Sequence, residues 1–222
     1  MEYIVKILEI EQLTHDIKRF VVEKPKNVEF IPGQATSIAI NTKDLRKKKR
    51  PFTFTSLNED PSLEFIIKEY PDHNGITQEL HKLKVGDELI VEDPWGTIKY
   101  DDKGIFIAGG AGVTPFIAIL RQLCKEDKIS GNKVFFSNKT SKDVILEDEL
   151  REKIPEENLI LTLTKEKHPN YHYGRIDEKF IRENVTDFSQ NFYICGPKQM
   201  IVDIKNILVS LGASSQEIVF ER

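Results

Sequence analysis

The segment Gly109-Gly110-Ala111-Gly112-Val113-Thr114-Pro115 constrains this chain more than any other stretch. Ahead of it runs Ile105-Phe106-Ile107-Ala108, an apolar run of strand length. Behind it Phe116-Ile117-Ala118-Ile119-Leu120 continues into Arg121-Gln122-Leu123 and reads as a helix. Strand, glycine turn and helix in this order form the layout that cradles phosphate. Glycine lets the backbone come close to an anion and reach positive φ. Thr114 is suited to capping the helix and Pro115 to its first turn. The first N–H groups and the positive end of the helix dipole would then face the anion. A tight turn that holds nothing is the alternative. The Lys-Ser/Thr of a nucleoside triphosphatase loop is absent.

Length and composition narrow the classes. The 222 residues suffice for one large domain or two small ones. A net charge of -4 gives no global support for nucleic acid binding. No apolar run is long enough to span a membrane, and Met1-Glu2-Tyr3 does not open a signal peptide. Cys124 and Cys195 are the only cysteines, which fits a reducing, cytoplasmic setting and is too few to ligate an iron–sulfur cluster. His168 and His172 have the spacing of a zinc pair, but no cysteine pair or third ligand is near in sequence. They read as loop residues, and no metal is expected.

Residues 1–99 read as mostly β, with strands at 3–10, 17–22, 34–40, 52–56, 63–68 and 88–91. In Leu63-Glu64-Phe65-Ile66-Ile67-Lys68 the apolar Leu63, Phe65 and Ile67 alternate, the two-residue period of a half-buried strand. Turn residues at Pro32-Gly33, 58–61 and 71–75 separate the runs, and the spacing suggests an antiparallel barrel. A short helix carries Ile76, Leu80 and Leu83 on one face and ends before Gly86. Two stretches are suited to ligand binding. Arg50-Pro51-Phe52-Thr53 offers a cation for phosphate, an aromatic face for a planar ring and a hydroxyl for a ring edge. A plain strand with Phe52 and Phe54 in the core is the alternative. Gly75-Ile76-Thr77 opens the short helix and offers backbone N–H groups, or is simply its cap. The run Arg46-Lys47-Lys48-Lys49-Arg50 is either a solvated loop or a docking patch for an acidic partner.

From residue 100 strands and helices alternate. Strands fall at 104–108, 133–136, 158–164, 191–195 and 217–220, and helices at 114–125, 143–153, 177–184 and 197–211. Met200, Ile204, Ile207, Leu208 and Leu211 form one apolar stripe, a packing face closed by Gly212. The alternation predicts a parallel sheet covered on both faces, with ligands at the carboxyl ends of its strands. The 109–115 turn, Ser137-Asn138-Lys139-Thr140, Thr164-Lys165 and Cys195-Gly196-Pro197 all follow strands and should gather on one edge.

In this order the motifs resemble the ferredoxin–NADP reductase superfamily, in its short flavodoxin or ferredoxin reductase-like form, over essentially the whole chain. Arg50-Pro51-Phe52-Thr53 is similar to the family's Arg-x-Tyr-Ser flavin motif, with Phe52 keeping the ring and losing the phenol. Ile66-Ile67-Lys68 falls where the family contacts the flavin ribityl and phosphate region. Gly75-Ile76-Thr77 resembles its second phosphate motif, and Asp93-Pro94-Trp95-Gly96 its Gly-Pro-x-Gly turn. The turn with Gly110, Gly112, Thr114 and Pro115 resembles the dinucleotide pyrophosphate loop. Phe136-Ser137-Asn138-Lys139-Thr140 with Asp148-Glu149-Leu150 resembles the next signature, with Lys139 where arginine is common. Tyr193-Ile194-Cys195-Gly196-Pro197 through Met200 is the most specific match, and Phe220-Glu221 resembles the closing Phe-Glu. The sequence departs from some members in ending at Arg222 without a terminal aromatic or a cysteine-rich extension.

The resemblance implies an antiparallel Greek-key β-barrel flavin domain over 1–99, then a parallel-sheet α/β nucleotide-binding domain over 100–222. It implies an NAD(P)H-dependent flavoprotein reductase using FAD in preference to FMN, with NADPH or NADH as donor. The partner would be a small acidic electron carrier, ferredoxin or flavodoxin. In this reading Thr53 lies near flavin N5, Cys195 beside the nicotinamide and Glu221 near the reacting ring. Thr164 and Lys165 stand where a 2′-phosphate would be read, with Glu166 suited instead to ribose hydroxyls. A free-flavin or ferric reductase, and a flavin-binding subunit active only in a complex, are the rival readings.

Overall fold

A computed structural model describes residues 1–70, 75–96 and 98–220. The chain divides into two compact units, Met1–Lys99 with Thr114–Gln122, and Tyr100–Val113 with Leu123–Arg222. The first contains β1 (Glu2–Thr14), β2 (Ile17–Glu23), β3 (Ala35–Ile40), β4 (Arg50–Thr53), β5 (Ser62–Lys68), α1 (Ile76–His81) and β6 (Glu88–Glu92). Its six strands lie in the order β4-β3-β6-β1-β2-β5, each pair antiparallel. Leu63, Phe65 and Ile67 are buried as their alternation predicts. Phe54 stacks on Phe30 with centroids 4.2 Å apart and tilts against Phe65 at 5.2 Å.

Two strands differ from their sequence outlines. β1 runs far past residue 10 because its halves have different partners. Glu2–Lys6 pairs with β6, and the remainder pairs with β2 through register shifts at Ile7/Glu9 and Gln12/Thr14. Such bulges bend a strand so that one chain segment serves two sides of a curved sheet. β4 covers 50–53 instead of 52–56. It is an edge strand, where Pro51 costs no ladder hydrogen bond. Beyond Thr53 the chain turns to β5: Thr55 N–H donates to the Glu64 carbonyl at 2.9 Å, and Glu64 N–H to Ser56 Oγ at 3.0 Å.

The second unit is built from β7 (Gly104–Gly109), β8 (Lys133–Asn138), β9 (Leu159–Leu163), β10 (His172–Tyr173), β11 (Asn191–Cys195) and β12 (Ile218–Phe220). They form one parallel sheet, ordered β10-β9-β8-β7-β11-β12. Helices α2 (Thr114–Lys125), α3 (Glu147–Lys153), α4 (Glu178–Asn184) and α5 (Lys198–Ser210) occupy the connections. Ile176, Phe180 and Ile181, from α4 and its approach, join Ile204 and Leu208 of α5 over Ile105, Ile107, Phe135, Phe192 and Ile194. The fold is therefore an antiparallel β unit followed by a parallel α/β unit, as the sequence implied.

Three outlines change here. The helix expected over 143–153 begins at Glu147, because Thr140 and Asp143 close a capping box around a 3-10 turn and Leu146 adopts left-handed φ 51°, ψ 39°. Thr114 is the first residue of α2, entered from a 3-10 turn over Gly110–Val113, so it does not cap an open turn. His172 is not a loop residue: it pairs with Thr162 in β10 and sits edge-on to Phe180 at 5.0 Å. No group of metal-ligating side chains occurs among the described residues.

Candidate functional site

In the first unit the residues of interest follow two strands and one short helix. Arg50 and Pro51 are exposed, Phe52 is half-buried against the core, and Thr53 is buried at the end of β4. Phe52 packs against the same core that Phe54, just past the strand, enters fully, and keeps part of its ring outside. Among the described residues Arg50 donates to the neighbouring Lys49 carbonyl, at 2.9 Å, which leaves guanidinium donors for an oxyanion. On β5 the side chains are already committed. Ile67 is core, Lys68 pairs with Asp16 at 2.6 Å, and Ile66 is buried. The Ile67 carbonyl accepts from His81 Nε2 at 2.8 Å, which fixes the proton on that nitrogen and pins α1 beneath the sheet. What 66–68 can offer a ligand is main chain.

Gly75 precedes α1 in extended conformation, without a side-chain cap, so the first turn at Ile76 and Thr77 depends on other acceptors for its N–H groups. Two more features concern the same unit. Arg121 donates to the Thr55 carbonyl at 2.8 Å and to Glu64 Oε1 at 2.6 Å, and Thr55 Oγ1 donates to that oxygen at 2.8 Å. This largely buried ion pair ties α2, the helix leaving the glycine turn, to β5. Nothing in the sequence marked two residues 57 positions apart as partners. The basic run is a built turn: Leu45 and Arg46 N–H donate to the Thr42 carbonyl, and Lys49 reaches Glu2 at 2.6 Å and Glu92 at 2.5 Å. Lys43, Arg46, Lys47 and Lys48 are left exposed on a fixed frame that leads directly into Arg50.

In the second unit the strand order reverses direction beside β7: the chain moves outward through β8 and β9, then returns to place β11 on the other side. Ligands of parallel sheets bind at the carboxyl ends flanking such a point. The turns after β7 and β11 meet there, and glycine is required at the contact. A Cβ on Gly112 would lie 2.4 Å from the Cys195 carbonyl oxygen and 2.6 Å from Gly196 Cα. Gly110 is needed for a different reason, since its φ is 53° and nothing lies within 4 Å of a Cβ there. A Cβ on Gly109 would meet Met200 Sδ at 2.5 Å and Pro197 Cδ at 3.0 Å. Gly109, Gly112, Cys195, Gly196, Pro197 and Met200 thus lie together. Pro115, at the start of α2, is buried. Cys195, 5% exposed, ends β11 opposite Ala108.

Farther along the same edge, Asn138 ends β8 and is 6% exposed, yet neither Oδ1 nor Nδ2 has a hydrogen-bond partner. Thr164 binds back to the Asn138 carbonyl through N–H at 2.9 Å and Oγ1 at 3.2 Å, so its hydroxyl proton is already engaged. Lys165 N–H donates to the Lys139 carbonyl at 2.9 Å, which brings two exposed lysines together. Glu166 does not offer its carboxylate outward. It accepts from Ser141 N–H at 2.7 Å and from Ser141 Oγ at 3.1 Å, and the backbone hydrogen bond holds its pKa below the usual carboxylate value. Glu221 lies outside the described residues.

The donor sets fit a phosphate-bearing dinucleotide in each unit: Arg50 with the first turn of α1 in one, the interlocked glycine turn with Asn138 in the other. Comparison with known proteins agrees. Residues 4–100 match the oxidoreductase FAD-binding domain and residues 106–206 the oxidoreductase NAD-binding domain. The chain is 32% identical over 208 residues to NADH-cytochrome b5 reductase 2-A of Vanderwaltozyma polyspora, covering 86% of this chain and 70% of that protein. It is 26% identical to NADH-cytochrome b5 reductase 3 of Rattus norvegicus, over 90% of this chain and 80% of the relative. A ferredoxin NADP+ reductase from Neisseria gonorrhoeae, solved with bound FAD and NADP, superposes with a TM-score of 0.87 at 19% identity, covering 99% of this chain and 98% of that one.

Proposed function

We propose, from the premise that this chain belongs to the ferredoxin–NADP reductase superfamily of flavin-dependent oxidoreductases, that it takes hydride from NAD(P)H onto FAD and delivers electrons singly to a small acidic carrier protein. The observation that carries this reading is the glycine turn seated on Cys195–Gly196 at the reversal of strand order, in a chain whose other unit matches an FAD-binding domain. Bound FAD supplies the exchange between a two-electron donor and a one-electron acceptor. We assign FAD to 1–99 and the nicotinamide coenzyme to 100–222. Phe52 presents its outer ring face to the planar ring system, and Thr53 holds a hydroxyl near N5. Arg50 and the first turn of α1 at Gly75, Ile76 and Thr77 take the phosphates. Gly110, Gly112 and the start of α2 at Thr114 and Pro115 take the coenzyme pyrophosphate. Cys195 sits against the nicotinamide, fixing its position and keeping water away. Glu221, outside the described residues, is assigned to the reacting ring on its sequence motif alone.

The carrier is the finer part. Cytochrome b5 is the electron acceptor in the names of several relatives, and the rigid basic turn at Lys43–Lys48 suits an acidic partner of that kind, with ferredoxin and flavodoxin as the other carriers of matching charge. The test is steady-state turnover with cytochrome b5, ferredoxin, flavodoxin, free flavin or ferric chelate as acceptor. Turnover with a carrier protein should exceed that with the small acceptors. In Lys47→Glu/Lys48→Glu, kcat/KM for the carrier should fall about tenfold or more at low ionic strength while small-acceptor turnover stays constant. Equal effects on both would remove the docking role, and turnover with free flavin or ferric chelate alone would establish the rival reductase. A reducing compartment such as the cytoplasm is part of the same proposal, on the sequence's use of only two cysteines.

Coenzyme choice follows from the Lys139–Lys165 pair. With Glu166 committed to Ser141, no carboxylate of that loop segment opposes a 2′-phosphate, and Lys165 supplies a point charge for it. Relatives are named for NADH, and the chain is expected to use it too. In Lys165→Ala, kcat/KM for NADPH should drop about ten- to a hundredfold, the worth of a charge-assisted contact of about 1.5–3 kcal/mol, with NADH unaffected. An unchanged NADPH/NADH ratio would take the phosphate away from Lys165.

A further inference from the structure

Arg121, late in α2, is bonded to the chain that runs on from β4. Its Nη1 donates to the Thr55 carbonyl at 2.8 Å and to Glu64 Oε1 at 2.6 Å, and Thr55 Oγ1 donates to the same carboxylate oxygen at 2.8 Å. Thr55 N–H in turn donates to the Glu64 carbonyl at 2.9 Å, so Arg121, Thr55 and Glu64 close a ring of hydrogen bonds. Thr55 is fully buried, and the Glu64 and Arg121 side chains are 13% and 18% exposed. Arg19 adds a second cation 3.8 Å from the other Glu64 oxygen while holding Glu11 at 2.8 Å. Taking such charges out of water is costly, and a well-packed apolar pair of similar volume often holds two elements together equally well. Stability alone is therefore a poor explanation of the ion pair. What it adds is direction: a guanidinium nitrogen aimed at two acceptors fixes both the rotation of the helix and its height along the axis.

Both ends of that connection lead to groups assigned to the reaction. Back from Arg121, seven residues of helix, about 10 Å, reach Thr114 at the proposed pyrophosphate seat. Back from Thr55, two residues reach Thr53, whose hydroxyl is assigned to flavin N5. Thr53 is the last residue of the edge strand β4, where it pairs with Ala35. Past it the main chain is held by Phe54 N–H to the Gln34 carbonyl, at 3.1 Å, and by the bonds of Thr55. Thr114–Gln122 packs with the first unit, so α2 and β4 belong to the same one. We propose that Arg121 and Glu64 are positioning residues for hydride transfer: their ion pair holds the coenzyme end of α2 in fixed register with the main chain behind Thr53. They act through the helix and the strand, and a misplacement of about 1 Å from a change far from the chemistry costs about a hundredfold in rate. This rests on the function proposed above.

The test is anaerobic rapid mixing of full-length, flavin-loaded protein with a series of NADH or NADPH concentrations, which separates the limiting rate of flavin reduction from the coenzyme Kd. Arg121→Met/Glu64→Gln removes both charges together, so neither is left buried alone, and glutamine keeps an acceptor for Thr55 Oγ1. Its limiting rate should fall about ten- to a hundredfold, with coenzyme Kd, flavin content and unfolding midpoint near wild type. Arg121→Lys keeps the charge without the fork, and its limiting rate should lie between the two. It carries the test alone where the double variant folds poorly. An unchanged limiting rate in every variant that folds would overturn the proposal. So would a slower rate accompanied by loss of flavin or a lowered midpoint, which would make the pair structural, or a weaker Kd at an unchanged limiting rate, which would move it to coenzyme binding. A wild type whose flavin neither coenzyme reduces would overturn the function proposed above and this inference with it, whereas failure in the variants alone leaves that function standing.

Discussion

Gly112→Ala should cost this protein its coenzyme binding and part of its stability, whereas Gly110→Ala, two residues away, should lower stability by a comparable or smaller amount and spare most of the binding. The added methyl of Gly112→Ala would sit 2.4 Å from the Cys195 carbonyl oxygen and 2.5 Å from its carbonyl carbon. Those are backbone atoms at the end of β11, and they cannot swing aside as a side chain would. Relief requires the turn after β7 to lift from the turn after β11, which dismantles the proposed pyrophosphate seat. Overpacking that forces backbone shifts costs about 1–3 kcal/mol, or a midpoint lower by about 2–4 °C per kcal/mol in a chain of this size. At Gly110 a methyl meets open space, and only the left-handed φ of 53° counts against it, about 1–2 kcal/mol. Thermal unfolding and NAD+ titration of the two variants separate the cases. Equal losses would mean that closeness of the two turns is not what Gly112 provides.

Cys195→Ser should leave flavin content normal and slow flavin reduction by NAD(P)H by about ten- to a thousandfold, the usual effect of losing one positioned contact in a transition state. Serine is smaller than cysteine and fits the same strand end, so the Gly112–Cys195 backbone contact survives the exchange. The expected change is therefore kinetic, read by anaerobic rapid mixing, with unchanged unfolding. Unaltered reduction kinetics would return Cys195 to the role of a small buried strand residue, which its 5% exposure also permits.

Much of the fold was readable because local signals agreed with the final packing. Leu63, Phe65 and Ile67 alternate and are buried, and the apolar run before Gly109 is the central strand β7. The unread parts depend on partners distant in sequence. β1 extends to Thr14 because β2 takes over from β6, and β10 is a two-residue strand that exists only by pairing with β9. The site shows the same division. Gly109, Gly112, Cys195 and Met200 were recognisable by motif, but the closeness of Gly112 to Cys195 and of Gly109 to Met200 could not be read from composition or spacing. Glu166 was expected to compete for ribose hydroxyls. It instead caps the turn at Ser141, a contact across 25 residues. That Asn138 would be buried with nothing to bind had no sequence signature at all.

The central claim is that one chain binds a flavin and a nicotinamide coenzyme and passes electrons between them. It is tested most directly by the absorbance spectrum of the purified protein before and after anaerobic addition of NADH or NADPH, followed by chromatography of the cofactor released on heating. The prediction is an oxidised flavin spectrum that bleaches within the mixing series, with FAD as the released cofactor. A protein that retains no flavin after supply of FAD, or whose oxidised spectrum persists under saturating NADH and NADPH, would contradict the account.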